Sequence, residues 1–297
     1  MSAPSAPIGV FDSGIGGLTV VRRIVDELPH ESILYFGDTA RVPYGPKSAE
    51  TVRRYAREAA SFLLSRGVKM IVIACNTVSA HAQAVLSATL PVPVLGVVEP
   101  GARAAVWATR TKRIGVIGTA GTIASGAYDL AVRRKLPEAR VYAQPCPLFV
   151  PLVEEGWVDH PSARLVAAEY LRPLHEMDVD VLILGCTHYP VLRERIAEVM
   201  GPGVTLVDSA EEAAKDVRAC LKDRGLAAPT YDDVQPFELR CGAATLAPTV
   251  QPGSAAGRHT FVASDSPLRF REVGRRLTGD LVRAVEHVDV DGYGRAA

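Results

Sequence analysis

Net charge is the first thing this chain is without: 33 Lys and Arg stand against 33 Asp and Glu in 297 residues. Such a balance offers no field to draw the chain to nucleic acid or to an anionic membrane, so neither is expected as a partner. The basic run Arg133, Arg134 and Lys135 reads as a solvated face. Long apolar runs are missing too. None reaches the ~18 residues of a membrane span, and MSAPSAPIGV lacks the basic start and apolar core of a secretion signal. A cytoplasmic location is expected. Cysteine is scarce and odd in number: Cys75, Cys146, Cys186, Cys220 and Cys241 form no Cys-x-x-Cys. In a compartment that keeps thiols reduced, that pattern excludes a disulfide framework.

What is present is apolar residue in quantity, 48% of the chain, with 22% charged. That is enough for a full core, and the length is better divided between two domains than packed around one. From Ile8 onward, short β-branched runs alternate with amphipathic stretches, the pattern of α/β units on a parallel sheet. IGVFD (8–12) reads as a buried strand. SGIGG then turns, and LTVVRRIVDEL (18–28) has helical spacing at Leu18, Val21, Val25 and Leu28. SILYFGD (32–38) is the next strand. Ser48 can cap a helix with an inner face of Val52, Tyr55, Ala59, Phe62 and Leu63, and Gly67 suits its end. VKMIVIA (68–74) returns to the sheet and delivers Cys75 to its carboxyl edge, where open α/β folds place their ligands.

The arrangement recurs. IGV at 8–10 returns at 114–116, and VKMIVIACNT (68–77) returns as VDVLILGCTH (179–188), at nearly equal separation. The expected fold is therefore two similar parallel-sheet α/β domains related by internal pseudo-symmetry, with the active site in the cleft between them. The expected boundaries are 1–98 together with 208–297 for the first domain and 99–207 for the second. VDSAEEAAKDVRACLKDRG (207–225) reads as a helix, 226–259 as a loop or hairpin insertion rich in Pro, Gly and Ala, and SPLRFREVGRRL (266–277) as a closing helix. The tail from Gly292 is expected to fray.

Buried cysteine is often a plain small hydrophobe, and Cys146, Cys220 and Cys241 are read that way. Cys75 and Cys186 differ, because each ends an apolar run at the same place in its repeat and is followed by polar pairs, Asn76-Thr77 and Thr187-His188. Three chemistries compete for them. Two thiolates and the His188 imidazole are a zinc ligand set, although no Cys-x-x-Cys supports it. A redox pair would need that same missing motif. The third is a pair of acid/base groups on opposite faces of one carbon, which inverts an α-carbon without a cofactor: one thiolate removes the proton and one thiol donates another. A free thiol, with a pKa of about 8.5, needs help from a helix N-terminus or polar neighbours to ionise, and Thr77 and Pro190 sit where helices are expected to begin. Asp12 ends the first strand beside a Gly-rich turn able to receive a carboxylate. That turn is no dinucleotide fingerprint, because Thr19 occupies the last glycine position.

FDSGIGG (11–17), DTARVPYG (38–45), IACNT (73–77), PLVEEG (151–156) and GCTHYP (185–190), in this order, resemble the cofactor-independent glutamate racemases of the aspartate/glutamate racemase superfamily. The resemblance spans about residues 8–210, with a weaker echo at FVASDSPLRFREV (261–273). It implies interconversion of L- and D-glutamate, supplying D-glutamate for bacterial peptidoglycan, with no cofactor and no metal. Cys75 would work on the D-enantiomer and Cys186 on the L-enantiomer. Asp12 and His188 would assist their nearest thiols and Glu154 would tune His188. Asp12, Ser13, Tyr44, Gly45, Asn76, Thr77, Thr187 and His188 would hold the substrate. The stretch Tyr231 to His259 is longer than the family pattern, and the tail after Asp280 has no match in it.

Taken alone, His188 reads as structural, and Tyr44 and Trp157 as packed loop aromatics. Other readings stay open: racemisation of aspartate or another acidic amino acid, or a binding protein that takes glutamate without turnover. The family also implies, for some members, a secondary role binding DNA gyrase. A homodimer is compatible with everything above.

Overall fold

The computed structural model describes residues 3–229 and 257–290. Most of the insertion expected at 226–259, Cys241 within it, and the tail from Gly292 lie outside the described residues.

The first unit runs β1 (Ile8–Asp12), α1 (Leu18–Glu27), β2 (Ile33–Gly37), α2 (Ala49–Ser65), β3 (Met70–Ile73), α3 (Asn76–Thr89) and β4 (Val94–Gly96). Ser48 caps α2, its side chain accepting a hydrogen bond from the Thr51 amide, and Gly67, at φ 75°, turns the chain away after the helix. The second unit runs α4 (Val98–Ala108), β5 (Arg113–Gly118), α5 (Ala120–Ala124), α6 (Ala127–Lys135), β6 (Arg140–Pro145), α7 (Phe149–Glu154), α8 (Pro161–Glu176), β7 (Val181–Gly185), α9 (Arg193–Met200) and β8 (Thr205–Asp208). The chain then returns through α10 (Ser209–Asp223), β9 (His259–Ala263), α11 (Pro267–Thr278) and β10 (Glu286–His287).

Both sheets are parallel throughout. Their strand orders are β10-β9-β2-β1-β3-β4 and β6-β5-β7-β8. Setting β9 and β10 aside, the two orders are the same motif written twice, with β1 matching β5 and β3 matching β7. The repeat read in the sequence is therefore a repeat of topology. The strands β9 and β10 extend one edge only, and β9 docks on β2 with Ile33 opposite His259 and Gly37 opposite Ala263.

Each sheet is covered on both faces, which is why its strands read as continuous apolar runs. In the first sheet Ile8, Val10, Tyr35 and Val72 pack toward α1, α10 and α11, while Phe11, Phe36, Ile71 and Ile73 pack toward α2 and α3. In the second, Ile114, Val116, Val181 and Ile183 face α4 and α6, and Ile117, Leu182 and Leu184 face α7, α8 and α9. The helix α10 ties the units together. Its apolar face joins the core of the first sheet, and its Asp216 takes a two-pronged bond from Arg103 of α4, at 3.0 and 2.6 Å. No helix among the described residues is long and apolar enough to cross a membrane.

Candidate active site

Parallel strands in the same order all end at the same edge, so β1, β3, β5 and β7 bring their following loops toward a shared cleft. The cavity there has a volume of about 270 Å³ and takes its walls from both units. Ser13, Tyr44, Gly45, Cys75, Asn76 and Thr77 come from the first, and Glu154, Cys186, Thr187 and His188 from the second. Of the residues expected to catalyse or to hold a substrate, Asp12 alone is not in the wall. It lies directly behind it, 2% exposed, its Oδ2 accepting the Gly14 amide at 3.0 Å and its Oδ1 without a partner.

Cys75 is itself the N-cap residue of α3, which begins at Asn76, one residue before the start expected from Thr77. The sulfur donates to Ser13 Oγ at 3.6 Å. Burial, and then the charge of nearby Asp12, push the Cys75 thiol up to about 12, against the pull of the Val78 amide in the first turn of the helix and of Ser13. Those causes keep its proton on.

Cys186 has different company. It leaves β7 into a tight turn, and Pro190 lies in a 3-10 segment, Tyr189–Leu192, rather than at the α-helix start expected there; α9 begins only at Arg193. The ring of Tyr189, buried and in edge contact with Phe149, fills the space beneath, where its hydroxyl donates to the Cys146 carbonyl at 2.7 Å. This packs the Cys186 turn without a helix N-terminus. In place of one, His188 Nδ1 faces Cys186 Sγ at 3.9 Å, and its Nε2 meets Glu154 Oε1 at 3.0 Å. Burial alone would lower the pKa of His188, but the sulfur on one side and the carboxylate on the other raise it to about 10. Glu154, also resisted by burial, is held low by the same imidazolium.

His188 gains its partner on folding, so its contribution to stability is full below its ordinary value of 6.5 and is lost as pH rises toward 10. Glu154→Gln removes the charge that holds the imidazolium. The His188 titration, followed by NMR of the ring protons, is expected to fall by roughly one unit or more. An unchanged titration would mean that Cys186 alone sets it.

Tyr44 is placed by a buried network: its hydroxyl bonds the Asp38 carboxylate, which also accepts from Arg41 at 2.7 Å and from Ser264 at 2.9 Å. The loop carrying Tyr44 and Gly45 is therefore anchored to the strand edge rather than draped over it. Thr77 meets the hydroxyls of Thr119 and Thr122 at 2.9 and 3.1 Å, so the start of α3 is stitched to the second unit. Thr119, which lines the cavity, went unnoticed in the sequence. A signal for it existed: Ser13 follows β1 as Thr119 follows β5, so the repeat that paired the cysteines also pairs these two hydroxyls. Val42, Pro43, Val150 and Pro151 make the apolar part of the wall, for which no sequence signal separates cavity lining from packing. Among the described residues no group of three or more His, Cys, Asp or Glu is arranged to hold a metal ion, so the zinc ligand set is not assembled.

A family model described as Asp/Glu/Hydantoin racemase matches residues 8–217, the stretch that carries both cysteines and both repeats. The chain belongs to the Asp/Glu/hydantoin racemase family. Some of its relatives match nearly the full length of the chain. The glutamate racemase of Geobacter metallireducens is 49% identical over 288 residues, covering 97% of this chain and 98% of its own. Among solved structures, the glutamate racemase from Thermus thermophilus, in complex with β-chloro-D-alanine, is 46% identical with a TM-score of 0.82. It covers 97% of this chain and 98% of its own. That from Francisella tularensis, in complex with D-glutamate, is 38% identical with a TM-score of 0.84 and covers 98% of this chain and 100% of its own. Members with these names are isomerases, and so is this chain.

Proposed function

We propose that this chain interconverts L- and D-glutamate without a cofactor, by proton transfer between the substrate α-carbon and the thiols of Cys75 and Cys186. One observation carries the reading: a single small cavity receives one cysteine from each half of a duplicated fold, so a ligand between them offers opposite faces to the two sulfurs. The full-length likeness to glutamate racemases, and the D-glutamate bound by the Francisella relative, support glutamate as the substrate.

In the L-to-D direction, Cys186 removes the α-proton and Cys75 supplies one to the other face; the reverse direction exchanges the roles. His188, steadied by Glu154, is the charged neighbour that stands against the Cys186 sulfur. Cys75 starts as the thiol and so as the acid. For it to act as base, the positive α-ammonium group of the substrate must enter and offset the burial and the Asp12 charge that hold the proton on. The Asp12 carboxylate, which acts on Cys75 through its charge, is the group that this ammonium would offset. Hydroxyls and amides from Ser13, Asn76, Thr77 and Thr187, with the Tyr44–Gly45 loop, hold the carboxylates. D-glutamate made here would supply peptidoglycan synthesis.

Substrate choice is tested by circular dichroism on L-glutamate, D-glutamate and both enantiomers of aspartate. Decay of the signal is expected for glutamate in both directions, with aspartate at least tenfold slower. Comparable decay for aspartate would move the assignment to a broader acidic amino acid racemase, and no decay for either would leave a binding protein.

A further inference from the structure

The site residues above touch the cavity directly, but the conformation of one of them is set from outside it. Asn76, immediately after Cys75, lines the cavity and is nearly buried. Its amide is not held by its own domain. Tyr128, in α6 of the second unit, donates its hydroxyl to Asn76 Oδ1 at 2.6 Å. A phenol has one proton to give; with that proton on Asn76, the Tyr128 oxygen accepts from Ser209 Oγ, at 2.8 Å, at the start of α10. The chain of bonds therefore has a direction, from Ser209 through Tyr128 to the amide oxygen. That direction turns the Asn76 Nδ2 group, which has no partner among the described residues, away from Tyr128.

The Tyr128 ring is fixed in its turn. It is 3% exposed, and a Cβ placed on Gly185 would lie 3.0 Å from it, so the ring rests on the backbone that leads directly into Cys186. Burial raises its pKa, and the charge of Cys186 adds to this, so the proton stays on the hydroxyl. One side chain thus leans on the strand end that carries one cysteine and orients the amide beside the other.

We propose that Tyr128 is a positioning residue for substrate binding: it aims the Asn76 amide donor into the cavity and references it to the Cys186 strand rather than to its own domain. This rests on the glutamate reading of the site, in which the donor meets a carboxylate of the substrate. A hydrogen bond to a charged group that is made equally in ground and transition states affects KM and leaves kcat.

The test is Tyr128→Phe, Asn76→Ala and the double variant, each assayed beside the native chain with both enantiomers of glutamate. Phenylalanine keeps the ring on Gly185 and removes only the hydroxyl, so the fold is retained. The expected result is a KM raised roughly tenfold for both enantiomers by Tyr128→Phe, with kcat within about threefold of native. The double variant is expected to be no worse than Asn76→Ala alone, because Tyr128 acts through Asn76. A KM within twofold of native, or losses that multiply in the double variant, would overturn the proposal. A native chain that fails to racemise glutamate would instead overturn the reading of the site.

Discussion

Cys75→Ala and Cys186→Ala are each expected to lose inversion of glutamate by about a thousandfold or more, the upper part of what positioned acid/base groups contribute. In deuterated water the native chain should place deuterium on the α-carbon of the product formed from either enantiomer. The two single variants separate the roles. With Cys186 removed, D-glutamate still meets a thiol on its own side, so slow exchange with retention is the most that survives. With Cys75 removed, the same holds for L-glutamate. Full inversion by either variant would make that cysteine structural and end the two-thiol mechanism, whatever the fold. The size of the expected loss follows from the cavity: exposure of only 6% for each cysteine leaves little access for solvent to stand in as acid or base.

Gly16→Ala is expected to cost at least a hundredfold in kcat/KM, although Gly16 touches neither thiol. A Cβ there would lie 2.3 Å from Thr187 Oγ1 and 2.4 and 2.5 Å from two atoms of the His188 ring. None of these can yield cheaply. The His188 ring is buried and bonded through Nε2 to Glu154, and the Thr187 carbonyl accepts from Thr19 at 2.9 Å. The added methyl must therefore push the glycine turn away from the second domain or push His188 off Cys186, and either opens the site by a distance that catalysis does not tolerate. Steady-state kinetics together with the His188 ring resonances check this. Activity within twofold of native, with unmoved resonances, would show that the two domains adjust their spacing freely.

The pairing of the two cysteines was legible before any coordinates. A parallel strand buried on both faces must be written as an unbroken apolar run, and such a run ends where the chain meets the sheet edge; Cys75 and Cys186 each stand at that point, and duplication put them in the same register. Asp12 stands at the end of β1, where its own apolar run stops. Two helix starts differ from the sequence pattern. Cys75 is a cap residue, and Pro190 lies within a 3-10 segment, because the buried Tyr189 ring holds that turn from below and the local sequence does not show what lies beneath it.

Local sequence carries the list of chemical groups and the strand ends that bear them, since burial on two faces, capping and turn formation act over a few neighbouring residues. Company came from packing over long separations: β9 beside β2, Ser264 beside Asp38, Thr119 against Thr77, and Tyr128 reaching across to Asn76. Those contacts join residues up to 226 positions apart, as Ser264 and Asp38 are. No period in the local pattern encodes which distant partner a buried hydroxyl will meet; the packing of two whole domains against each other selects it.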